Sequence, residues 1–142
     1  MVATAEAAAA NGSVAKLGFA AEQVVQEFGY DRDVDDDFRL AIEGLCGSEL
    51  VDEDYADVAD AVVVWWREED GDLIDALVDA LTNLAEGGFV LLLTPKSGRD
   101  GHVDASDIQE AALTAGLHAS GSTNVARDWT GSRLVAPKSA RR

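Results

Sequence analysis

The stretch "ADAVVVWWREEDGDLIDALVDALTNLAEGGFVLLLT", Ala59–Thr94, holds a complete strand–helix–strand unit, and its reading decides the fold. "ADAVVVWW" is an apolar run of β-formers, the pattern of a strand covered on both faces. "DGD" then opens a helix. Leu73, Leu77, Leu81 and Leu84 form one stripe, Ile74 and Val78 widen it, and "EGG" closes it, because glycine takes a left-handed conformation without a Cβ clash. "FVLLLT" is the next buried strand. Strands joined through a helix pair in parallel, since the crossover is too long for a hairpin.

Outward from this unit the pattern repeats. Toward the N-terminus, "VAKLGF" reads as a short turn of helix and "EQVVQEF" as a strand carrying Val24, Val25 and Phe28. Asp35 to Leu45 forms a helix with Phe38, Ile42 and Leu45 on one face, carboxylates at its positive start and Gly47 past its end. "ELVD" is a short strand. Toward the C-terminus, Asp104 caps a helix through "SDIQEAALTA" and Gly116 stops it. "ASGSTNVARDWTGSRLVAPK" reads as two strands around a "DWTG" turn, with Gly131 at a positive φ. The expected architecture is α/β: a Rossmann-like, mostly parallel sheet with helices on both faces and a C-terminal antiparallel hairpin. A single domain over residues 14–138 is expected, between a disordered Ala-rich arm (1–13) and a basic tail (139–142).

The formal charge of −16 is uneven: residues 1–88 hold 22 acidic and 4 basic side chains, and residues 89–142 hold 5 and 7. So negative a first part is repelled by phosphate backbones and anionic lipid, which argues against general nucleic-acid or membrane binding and favours a protein partner with a basic surface. The same acids also serve as a solvated, solubilising surface. The apolar runs are too short to span a bilayer and "MVATAEAAAANGS" lacks the features of a secretory signal, so a cytoplasmic protein is expected. Cys46, the one cysteine, sits among apolar neighbours and reads as a small hydrophobe.

Ligands of open α/β sheets collect beyond the carboxyl ends of the strands, and the loop "PKSGRDGHV", Pro95–Val103, leaves such an end. Lys96, Ser97, Arg99 and His102 offer two cations, a hydroxyl and an imidazole to an anion. The order is not that of a P-loop, whose glycines precede the lysine, and the loop also reads as a plain connection. "DRDVDDD" places Asp31, Asp33 and Asp35 at alternate positions, yet the glycine and the distal glutamate of a calcium loop are missing. No zinc spacing and no nucleophile elbow occurs. Trp65, Trp66 and Trp129 read as packing, with stacking on a flat ligand as the alternative.

On the pieces "FGYDRDVDDDFR", "LTPKSGRDGHVDASDI" and "DWTGSRLVAPK", the chain resembles an actinobacterial family catalogued as a domain of unknown function. The order of its elements is also similar to that of class I S-adenosylmethionine-dependent methyltransferases. That resemblance implies a strand order 2-1-3-4-6-5 and S-adenosylmethionine or another nucleoside as ligand. It also implies Glu27 and Gly29 at the turn after the first strand, and Asp52 as the ribose-binding carboxylate. The family's second turn glycine is replaced, because Tyr30 and Asp31 follow Gly29. A non-catalytic binding or regulatory module for a small adenosine-type ligand, a divergent methyltransferase and an acidic protein-interaction module are the three functions this reading leaves.

Overall fold

The computed structural model describes residues 14–124 and 128–136. The expected arm, the basic tail and the connection through residues 125–127 lie outside the described residues. The elements run β1 (Val25–Phe28), α1 (Asp36–Cys46), β2 (Ala59–Trp65), a 3-10 turn (Glu68–Asp70), α2 (Leu73–Leu81), β3 (Leu84–Pro95), α3 (Ala105–Thr114), β4 (His118–Asn124) and β5 (Trp129–Val135). Residues 14–17 add one helical turn ahead of β1.

The sheet order is β1-β2-β3-β5-β4, with β1, β2 and β3 parallel and β5 antiparallel to both neighbours. "ELVD" contributes a single parallel bridge, Val51 to Gln26, on the outer side of β1. Counting that bridge as a strand reproduces the order 2-1-3-4-6-5. The antiparallel strand β5 is therefore inserted next to β3, and the last edge belongs to β4.

The unbroken apolar runs follow from burial on both sides. Odd-numbered residues Ala61, Val63, Trp65, Phe89, Leu91 and Leu93 pack under α1 and the first helical turn, through Val14, Phe38 and Ile42. Their even-numbered neighbours Val62, Val64, Val90 and Leu92 pack under α2 and α3, through Leu77, Ala80, Ile108 and Ala112. A side-chain period of two puts alternate residues on opposite faces, so both must be apolar.

Helix ends follow their local chemistry. Asp35 accepts from the Phe38 amide at 3.1 Å to start α1, and Gly47 ends it at φ 85°. Asp72 accepts from the amides of Ile74 and Asp75 to start α2.

Three expectations change. α2 stops at Leu81, because Asn83 donates its side-chain amide to the Tyr55 carbonyl at 2.6 Å and its carbonyl accepts from Ala59 N, which begins β3 at Leu84. "EGG" consequently lies within β3, where the register with β2 shifts between Ala59 and Ala61, and not at a helix end. Val78 is half exposed, on the outer side of α2. Gly131 sits inside β5 opposite Leu93 and Thr123, so Trp129, Thr130 and Gly131 belong to a strand and not to a turn.

Leu77 is fully buried between α2 and the sheet. Leu77→Ala is expected to destabilise the protein by about 2–5 kcal/mol, through lost transfer energy plus the cavity left behind. Urea unfolding checks this, the midpoint falling while the m-value holds.

Candidate functional site

Gly29 ends β1 at φ 78°, and a Cβ there would overlap the Trp65 carbonyl oxygen. Only glycine lets the two strand ends come so close. Arg67, just past β2, ties them together. Its Nη1 donates to the Gly29 carbonyl at 2.9 Å and the Trp65 carbonyl at 3.2 Å. Its Nε donates to Asp33 at 2.9 Å and its Nη2 bonds the same carboxylate, while Asp70 accepts from the Arg67 amide at 2.9 Å. The guanidinium lies 5.2 Å from the Trp129 ring centre, and the residue is buried. The hydrogen bond from Arg67 holds the Asp33 carboxyl below its ordinary pKa, against the opposing effect of burial.

Beside this arginine a crevice of about 330 Å³ opens at the carboxyl ends of β1 and β2. Half-buried Phe28 and Trp66 supply aromatic wall, Gly29 the backbone floor, and Tyr30 an exposed lip. Four carboxylates line it, Asp31, Glu53, Asp70 and Asp79, against the single cation Arg67. Glu53 reaches across and accepts from the Gly29 amide at 3.1 Å.

Of the ligand-binding candidates read from sequence, Gly29 lines this crevice, and Glu27, Asp52, Lys96, Ser97, Arg99 and His102 stand outside its lining. Glu27 is buried on the α1 side, where it accepts from Trp65 Nε1 at 2.8 Å and from Arg39 through two bonds of 2.7 and 2.9 Å. Asp52 folds back to accept from the Asp54 amide at 3.0 Å, and its neighbour Glu53 enters the crevice. Arg99 pairs with Asp128 at 3.3 Å, and the Lys96 amide donates to the Asp128 carbonyl at 3.0 Å. His102 donates from Nδ1 to the Pro95 carbonyl at 2.9 Å, with Nε2 3.7 Å from Asp104, and Ser97 is exposed. The loop Pro95–Val103 meets the segment after β2 through a backbone bond, in which Gly101 O accepts from Glu68 N at 2.9 Å.

Glu53, Trp66 and Arg67 were not singled out as ligand-binding candidates, although Trp66 had been weighed for stacking. Spacing alone does not choose between adjacent acids at 52 and 53. Arg67 did carry a signal: it is the one cation between Arg39 and Lys96, directly after the most apolar run of the chain. Among the described residues no three metal-ligating side chains gather into a cluster, and no helix is long and apolar enough to cross a membrane.

The sheet order and the crevice at its carboxyl ends define a Rossmann-like domain with the fold of class I methyltransferases. The chain is similar to an O-methyltransferase from neocarzinostatin biosynthesis, solved in complex with S-adenosylmethionine and 2-hydroxy-5-methyl naphthoic acid. That match has a TM-score of 0.65 and 16% identity, over 89% of this chain and 52% of the other. The CcbJ methyltransferase from Streptomyces caelestis matches with a TM-score of 0.57 and 12% identity, over 93% of this chain and 95% of that one. This chain spans about half the length of several such methyltransferases. By sequence, the chain belongs to the family described as "Protein of unknown function (DUF3052)", matched over residues 14–138. It is 53% identical over 124 residues to the uncharacterized protein Rv2239c of Mycobacterium tuberculosis, covering 87% of this chain and 78% of that protein. The mycobacterial relative fits the actinobacterial family to which the motifs point.

The lowered pKa of Asp33 makes its ion pair pH-dependent. The pair stabilises the fold above the ordinary carboxylate pKa and is lost as pH falls through the depressed folded value. Asp33→Asn is therefore expected to flatten the acid limb of stability below about pH 4. Urea midpoints measured from neutral to acid pH check it: equal slopes for the two proteins would exclude the linkage.

Proposed function

We propose that this chain is a small-molecule-binding module whose crevice beside Gly29 takes an adenosine-type nucleoside without phosphate groups. The observation that carries the reading is the crevice lining: four carboxylates and one arginine already engaged by Asp33 and Asp70, next to two aromatic side chains and an open glycine turn. Phosphate oxygens are repelled by such a lining, and a neutral or cationic ligand is favoured. Ribose hydroxyls donate to Glu53, which gives up its bond to the Gly29 amide, and the base lies against Phe28 or Trp66. Lys96, Ser97, Arg99, Asp52 and Glu27 take no direct part in this reading.

A specific observation favours a second reading, methyl transfer, within the same site. One similar structure holds S-adenosylmethionine, and the sulfonium charge of that molecule suits the four carboxylates. Against catalysis stands the turn itself, in which Asp31 occupies the place of the second glycine that lets the backbone approach a cofactor.

Thermal denaturation with adenosine, S-adenosylmethionine and ATP separates these cases. Adenosine and S-adenosylmethionine are expected to raise Tm, by the equivalent of about 2.7 kcal/mol at a hundredfold excess over Kd, while ATP does not. Glu53→Gln is expected to abolish the shift, and a Lys96→Ala, Arg99→Ala double variant to keep it. A shift with ATP alone, or with none of the three, overturns the proposal. Formation of S-adenosylhomocysteine with an added acceptor decides for the second reading.

A further inference from the structure

A second surface lies away from the strand ends, between α2 and α3. A groove of about 590 Å³ opens there, floored by Leu73, Ile74 and Ala111 and rimmed by Asp72, Asp107 and Glu110. Val78, 50% exposed, stands one turn on from Ile74. Residues four apart share a helix face, so Val78 extends the apolar strip along α2.

The charge on this face is of one sign. Neither residues 68–95 nor residues 100–126 contain a lysine or arginine, so both helices and their flanks present carboxylates alone. Asp75 follows Ile74 on α2, and among the described residues Asp75, Asp107 and Glu110 form no ion pair. An apolar strip between two uncompensated acidic helices repels itself electrostatically and leaves large hydrophobics in water.

We propose that this groove docks a cationic amphipathic helix of a partner protein. Apolar anchors at helical spacing suit a helix laid in a groove. The unbroken negative rim selects lysine and arginine on both flanks of that helix. The same rim rejects nucleic acid and anionic lipid. It also disfavours a second copy of this chain on the same face, because a two-fold contact would set carboxylates against carboxylates. The proposal is independent of the crevice at Gly29, and either can fail without the other.

Amide chemical-shift mapping on the full chain tests it, with a synthetic Leu/Lys amphipathic helical peptide as probe and a scrambled peptide of the same composition as control. Shifts are expected to concentrate at Ile74, Val78, Asp107 and Glu110. Asp107→Lys with Glu110→Lys is expected to weaken the peptide at least about tenfold, while the same charge change at Asp54 and Asp57 leaves affinity within about twofold. Val78→Ser is expected to weaken it without altering charge. Equal binding of the scrambled peptide, or equal weakening by the Asp54 and Asp57 reversals, would mean general attraction to a polyanion and overturn the site. If deletion of residues 137–142 moves the same amides in the free chain, the occupant is the chain's own basic tail and the separate partner falls. Concentration-dependent dimerisation through these residues would overturn it in favour of a second copy.

Discussion

A single buried guanidinium organises the carboxyl ends of this sheet. Once Arg67 is taken out of water, its donors must find acceptors, and they find the Gly29 and Trp65 carbonyls and the Asp33 and Asp70 carboxylates. Those four groups come from the end of β1, the end of β2, the segment before α1 and the 3-10 turn. Meeting them together holds the segments at one spacing, and the approach of Arg67 to Trp129 brings in the start of β5. Gly29 is the counterpart of this constraint, since any side chain there would separate the strand ends that the arginine joins.

The two faces of the sheet serve different ends. On the α1 side, a carboxylate is buried among aromatics and neutralised in place: Glu27 receives two bonds from Arg39 and one from Trp65, and Trp65 packs edge-on to Phe38 and Trp129. Burial of a charge is tolerable there because every oxygen has a donor. On the α2 and α3 side the core is apolar but for the uncharged Gln26, Thr94 and Ser132, and the carboxylates stand outside on the helices without lysine or arginine. Glu27 apart, the carboxylates are kept out of the core, some lining the crevice at the strand ends and others the outer face of α2 and α3.

Some of this was legible from the chain. The apolar runs "AVVVWW" and "FVLLL" mark strands buried on both sides, because a strand with one wet face alternates and these do not. The caps Asp35 and Asp72 and the stop at Gly47 are local chemistry, in which a side chain or a missing Cβ satisfies groups a few residues away. The resemblance to methyltransferases carried the strand order. Leu84 shows where local reading fails: it continues the leucine stripe by spacing, yet the bond from Asn83 to Tyr55, 28 residues away, ends the helix before it.

The candidate site divides in the same way. Gly29 was legible through the resemblance to methyltransferases, which places it at the turn after the first strand, and the acidity near residue 52 was legible as composition. Which of two adjacent acids enters the crevice was decided by the Asp52 carboxylate folding onto the Asp54 amide, leaving Glu53 to reach Gly29. The cations of the Pro95–Val103 loop suggested an anion site by type, but Asp128, brought beside them by the insertion of β5, engages Arg99 instead. By itself the sequence determined the periodicities, the caps and the charge, since each depends on residues within a turn or two of one another. The tertiary structure alone decided which charges meet, because pairings such as Arg67 with Asp33, or Glu27 with Trp65, join segments that chain spacing does not relate.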